Sequence, residues 1–280
     1  MTRLLGLALA LCCLVAAGPM PPVAAADDLP PHVVVTAPSV SGIARFGRIV
    51  VADPGTWKPA PTGIRYQWRR DGRAIRDANG RGYEIRVGDV GHRLSVTIDV
   101  RAPGYALTTR TVSVGLVKHR VDVRRVVRYS VRTKGTVRAS VATFKALAQE
   151  TYDDPRGWRG RGVQFVRVSS GGAFTLWLSE AGRVPGFSSV CSAQWSCRVG
   201  RNVIINVQRW QHASTAWNRA GRSLRDYRHM VVNHETGHWL GKGHASCPRR
   251  GALAPVMMQQ SKGTGGCRFN PWPTLSELRR

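Results

Sequence analysis

The stretch that most restricts what this chain can become is His234-Glu235-Thr236-Gly237-His238-Trp239-Leu240-Gly241-Lys242-Gly243-His244. On an α-helix, His234 and His238 lie one turn apart and project from the same face. Two neutral imidazoles so placed bind one divalent ion, at about 2 Å if the ion is zinc. Glu235, on an adjacent part of that face, can reach a water at the ion without becoming a ligand. Gly241 has no Cβ, so it can end the helix in a left-handed turn. That turn returns His244 as a third ligand. Three protein ligands leave a fourth position for water, the arrangement of catalytic rather than structural zinc.

The surroundings suit a helix. Ser223 and Asp226 make a start resembling a capping box, and Leu224, Tyr227, Met230 and Val231 follow at helical spacing. Downstream lies Pro255-Val256-Met257-Met258-Gln259-Gln260. With these residues in place, the segment resembles the metzincin clan of zinc endopeptidases, which carries a tight turn with a methionine beneath the metal. The resemblance assigns that role to Met257, with Met258 as the alternative. It implies Zn2+ held by His234, His238 and His244, and Glu235 as general base. It departs from some metzincins in one respect. Gln259 stands two residues after Met257, where those enzymes place a tyrosine, and no tyrosine follows Tyr227.

Residues 1–26 read as an export signal: Arg3, an apolar run over Leu4–Ala17, and Ala24-Ala25-Ala26 as the cleavage site. Cys12 and Cys13 raise a lipoprotein alternative, against which the bulky residues before them argue. No later segment is apolar enough to cross a bilayer. Removal of the leader leaves Cys191, Cys197, Cys247 and Cys267, an even number in an exported chain. Three pairings are possible; short local loops favour Cys191–Cys197 and Cys247–Cys267. The formal net charge of +26 attracts polyanions. Outside a cell these are anionic wall polymers or lipid head groups. No nucleic-acid-binding module is evident, and a nucleic-acid partner is not expected.

Residues 33–117 contain short β-branched or alternating runs, Val33–Val35, Arg48–Val51, Gly63–Trp68, Tyr83–Ile85 and Leu94–Val100, separated by Gly, Pro and Asn turn signals. Such spacing predicts a β-sandwich. Asp53-Pro54-Gly55-Thr56-Trp57, Tyr66-Gln67-Trp68-Arg69-Arg70-Asp71-Gly72 and Asp89-Val90-Gly91-His92-Arg93-Leu94 make this block similar to a bacterial immunoglobulin-like repeat of secreted actinobacterial proteins. The resemblance implies Trp68 buried between sheets and a spacing or adhesion role.

Residues 118–127 read as a basic linker. From 128 to 280 the pattern turns to mixed α and β: strands at Arg128–Val131, Val163–Val168, Phe174–Leu178 and Val203–Val207, and a helix over Val137–Thr151. The fold class expected is therefore two domains, an all-β immunoglobulin-like sandwich followed by an α+β metzincin-like zinc peptidase domain. Tyr227–Gly241, Pro255-Val256-Met257 and Asn270-Pro271-Trp272-Pro273 also resemble the signature of a family of uncharacterised secreted actinobacterial peptidases. A monomeric endopeptidase acting on peptide or protein substrates, exported or held at the cell envelope, is the activity implied. An inactive envelope-binding protein and a hydrolase of peptidoglycan cross-links are the alternatives.

Overall fold

The computed structural model describes residues 29–279. The expected export signal, with Cys12 and Cys13, lies outside the described residues. The described chain is a sheet-rich α+β structure built on four sheets.

In the first block, β1 (Val33–Thr36), β2 (Ser39–Ser41), β3 (Ile49–Asp53), β4 (Thr56–Lys58), β5 (Gly63–Arg70), β6 (Arg73–Ala74), β7 (Gly82–Glu84), β8 (Arg93–Arg101) and β9 (Thr108–Leu116) follow one another. They form sheets β1-β4, β2-β3-β7 and β6-β5-β8-β9 with antiparallel pairing throughout. The two-residue period of a strand decides which side chains enter the core. In β8, Leu94, Val96, Ile98 and Val100 are all buried, and in β3 Val50 and Ala52 are buried while Ile49 and Val51 face outward. Trp68 is fully buried, stacks on Tyr83 at 5.4 Å, and donates its indole N–H to the Gly80 carbonyl at 2.9 Å. A buried carboxylate, Asp89, is satisfied by Arg70, the Tyr83 hydroxyl and the Arg86 backbone N–H. β9 is not among the strands expected from sequence; it lies at a sheet edge and is largely polar, so the apolar alternation is faint.

The basic segment 118–127 is pinned rather than loose. Phe46 and Lys118 exchange a backbone bond at 2.9 Å, Arg45 pairs with Asp122 at 2.8 Å, and Arg159 donates to the Val121 carbonyl at 3.1 Å. Its last three residues are already strand, because Arg125–Val127 pair with Val163–Phe165.

The second block runs β10 (Arg125–Lys134), α1 (Val141–Asp153), β11 (Val163–Arg167), β12 (Phe174–Ser179), β13 (Cys197–Val199), β14 (Asn202–Asn206), α2 (Val207–His212), α3 (Thr215–Arg219), α4 (Leu224–Trp239) and α5 (Leu275–Arg279). Its sheet has the order β11-β10-β12-β14-β13; all neighbours are parallel except β13, which is antiparallel to β14 at the edge. The helix expected from Val137 starts at Val141, because Ser140 caps it by accepting the Thr143 N–H at 3.2 Å. In β14, Val203, Ile204 and Ile205 are all fully buried, the continuous apolar run of a strand covered on both faces. Tyr129, Tyr152, Phe165 and Phe174 cluster with centroids 4.3–6.5 Å apart, and α4 packs on α1 and β14 above them. Disulfides join Cys191 to Cys197 and Cys247 to Cys267, the short-loop pairing. Among the described residues, no helix is long and apolar enough to cross a membrane.

Candidate metal centre

α4 carries two of the three histidines, and its position is fixed from both ends. Ser223 caps it by accepting the Asp226 N–H at 3.0 Å. Its own Tyr227, Met230, Val231 and Val232 are buried. In its middle the Trp158 indole donates to the Asn233 carbonyl at 2.9 Å, and the Asn233 amide donates to the Pro271 carbonyl at 3.0 Å. The helix stops where the sequence says it should. Gly241 has φ 85°, and the Lys242 N–H bonds back to the Gly237 carbonyl at 2.9 Å.

That turn returns His244 to the helix. The Nε2 of His238 lies 3.2 Å from that of His234 and 3.1 Å from that of His244. These are not hydrogen bonds between the rings. His234 Nδ1 lies 2.8 Å from the Val256 carbonyl and His238 Nδ1 lies 2.8 Å from the Lys242 carbonyl. A carbonyl only accepts, so in both rings the proton sits on Nδ1 and Nε2 carries a lone pair. Lone pairs converging without a proton between them repel unless a cation joins them. Tetrahedral nitrogen ligands about 2 Å from a zinc ion would stand about 3.3 Å apart, close to the spacing seen. His234, His238 and His244 thus form a group able to hold a metal ion, with His234 buried, His238 half-buried and His244 exposed.

Burial dominates the titration of the group. It drives His234 down to about 3, only partly offset by the Val256 carbonyl, with His238 and His244 lowering it further. His238 and His244 are also lowered, first by burial. All three rings are therefore neutral near pH 7, the form that ligates a metal. Glu235 is 5% exposed. Burial pushes its carboxyl up to about 8, and Arg198 opposes that rise.

Beneath the helix runs the methionine turn. Met257 is buried, its carbonyl accepts the Ala245 N–H at 3.1 Å, and its side chain packs under Gly237. Met258 points the other way, toward Gly265. A Cβ on Gly237 would collide with the Met257 sulfur and come within 2.8 Å of the Trp158 ring. Gly237 is therefore a close-approach residue as well as a helical one. Gly237→Ala is expected to destabilise the protein by about 1–2 kcal/mol, overpacking outweighing the gain in helix propensity. Chemical denaturation checks this; a midpoint at or above wild type would refute the contact.

Several residues that hold this turn escape the motif. The Glu277 carboxylate accepts the backbone N–H groups of Val256 (3.1 Å), Met257 (2.9 Å) and Thr274 (2.7 Å). Gln260 is fully buried and bridges the Pro255 and Asn270 carbonyls, while Asn270 donates to the Ala254 and Trp272 carbonyls. The signal for Glu277 is present in sequence: Thr274-x-x-Glu277 is a capping box opening α5.

The three histidines and Glu235 open on a cleft of about 370 Å³ between the Cys191–Cys197 loop and the segment 259–262. Gln259 is on its wall. β12 has no free edge, because it is flanked on both sides by β10 and β14. The edge strands of this sheet are β11 and β13, and β13 is the one beside the cleft.

A family model described as "Protein of unknown function (DUF3152)" matches residues 106–274, a span that includes α4, His244 and the methionine turn. No curated protein matches the chain.

Proposed function

The chain belongs to this family of unknown function, and from the metal-binding arrangement inside the matched span we propose that it is an exported, zinc-dependent, metzincin-like endopeptidase preceded by an immunoglobulin-like sandwich. The observation that carries the reading is the convergence of three Nε2 atoms beside a buried carboxylate in an open cleft. A metal site closed by a fourth side chain would be structural; here the group has three histidines, and His244 faces solvent. Two disulfides fit an oxidising compartment.

Zinc, when bound, would polarise the scissile carbonyl and lower the pKa of water toward about 7. The protein supplies the rest. The Val256 and Lys242 carbonyls fix two imidazoles in the tautomer and orientation that ligation needs. Glu235 accepts the proton of the attacking water and passes it to the leaving amine, acting as base and then as acid. Its burial favours that exchange, since a carboxyl raised toward neutrality both takes and returns a proton readily. The outer edge of β13 would align an extended peptide by backbone pairing.

Hydrolysis of a broad quenched-peptide library by the purified chain tests this. Turnover is expected, lost with a chelator and restored by Zn2+. Absence of chelator-sensitive turnover in protein shown to contain metal would refute the reading.

A further inference from the structure

The cleft is chemically lopsided. Its lining holds one carboxylate, Glu235, and two cationic side chains, Arg198 and Lys262. Arg198 lies on β13, the strand whose outer edge is free. It lines the same cleft as Glu235 and the three histidines, so its charge faces the space that a ligand would enter. Its backbone pairs with Val203, yet its side chain has no partner among the described residues. It takes part in no ion pair among the described residues, and its buried Nε has no hydrogen-bond partner. Lys262, on the opposite wall, makes only a long contact of 3.4 Å with the Gln259 side chain. Arg209 stacks over Trp195, another residue of the cleft lining, at 5.5 Å, and its Nε is likewise buried without a partner.

A desolvated guanidinium donor left unsatisfied is unfavourable, and a fold usually removes that cost by supplying a carboxylate. Here no carboxylate among the described residues forms an ion pair with Arg198, and a bound metal dication would make the cleft more positive still. An anion arriving with a ligand would supply the absent partner. A guanidinium fork suits a carboxylate, which it can bind through two parallel bonds.

Building on the peptidase reading, we propose that Arg198, assisted by Lys262, is a specificity-determining residue that selects peptides with an Asp or Glu side chain beside the scissile bond. The Cys191–Cys197 disulfide closes the loop that leads directly into Arg198, so the charge is presented from a tethered segment. Substrate backbone on the edge of β13 would bring one flanking side chain over the Arg198 position.

The test uses the zinc-loaded full chain and quenched-fluorescent peptide pools that differ only in carrying Glu, Gln or Lys at the positions flanking the cleaved bond. kcat/KM for the Glu pool is expected to exceed that for the Gln pool by about tenfold, with the Lys pool lowest. In Arg198→Gln the Glu-to-Gln ratio falls toward one; in Arg198→Glu the order of the Glu and Lys pools inverts; Lys262→Gln gives a smaller reduction of the ratio. A wild-type ratio near one, or a ratio unchanged in Arg198→Gln, overturns the assignment while leaving the peptidase reading intact. Binding of the same pools, labelled, to zinc-loaded Glu235→Gln protein is followed by anisotropy and does not depend on turnover. If no pool is cleaved, the peptidase reading falls, and equal anisotropy titrations for the Glu and Gln pools would overturn the acidic selectivity independently.

Discussion

Glu235→Gln is expected to bind metal as the wild type does and to lose about 10²–10⁴-fold in kcat, the range contributed by a positioned general base. The substitution keeps the shape of the side chain and removes its ability to take a proton. The three imidazoles are unaffected, because their supports are the Val256 and Lys242 carbonyls and the methionine turn rather than Glu235. Metal content and turnover must therefore separate. The pH profile should separate them too. Burial raises the Glu235 carboxyl to about 8, against the pull of Arg198, and a bound dication would favour the ionised form further. Only the ionised carboxylate is a base, so wild-type kcat/KM rises with pH through the titration of this group. Residual activity of the Gln variant should lack that acidic limb. Elemental analysis with a pH–rate series measures both, and a metal-loaded Gln variant with wild-type turnover would remove Glu235 from the chemistry.

The metal group is the most legible part of this molecule because its geometry is local. His234, Glu235 and His238 share one helix, and Gly241 needs only a positive φ to bring His244 back. The central strands were legible for a related reason: the apolar runs of β12 and β14 outlast their flanking turn residues. Short elements were not. β13 is three residues long and contains Cys197 and Arg198, so neither hydrophobic period nor length marks it, although it is the edge strand beside the cleft. α2 and α3 are six and five residues long and draw their stability from Trp210 and Trp217, which are buried by contacts far along the chain. The role of Gly237 was equally hidden. A glycine within a helix carries no indication that a methionine sulfur twenty residues later occupies the space of its missing Cβ. Likewise Glu277 announces a cap for α5, but not that the same carboxylate holds the backbone of Val256 and Met257.

His234→Ala should show the largest effect on metal and the clearest coupling of metal to folding. His234 is the most buried ligand, and its ring is wedged between α4 and the Val256 carbonyl. Removing it leaves two ligands and an unsatisfied carbonyl, and metal affinity should fall by about 10³-fold or more, well beyond the 10–100-fold typical of losing an outer support. For the wild type, free metal at 100 times its dissociation constant stabilises the folded state by about 2.7 kcal/mol. In a chain of this size that raises the melting temperature by roughly 5–10 °C. The variant should show no such rise at the same metal concentration. Acid response gives a second, metal-free readout. His234 titrates at about 3 in the folded chain, against about 6.5 when unfolded. The unfolded chain thus gains this proton first as pH falls, so the stability tied to a neutral His234 is complete above about 6.5 and lost progressively toward 3. Metal-free His234→Ala should lose less stability than metal-free wild type between pH 6.5 and pH 4, even if it starts lower because of its cavity. Denaturation midpoints across that interval decide the matter, and parallel curves for the two proteins would show that His234 is not held neutral by burial.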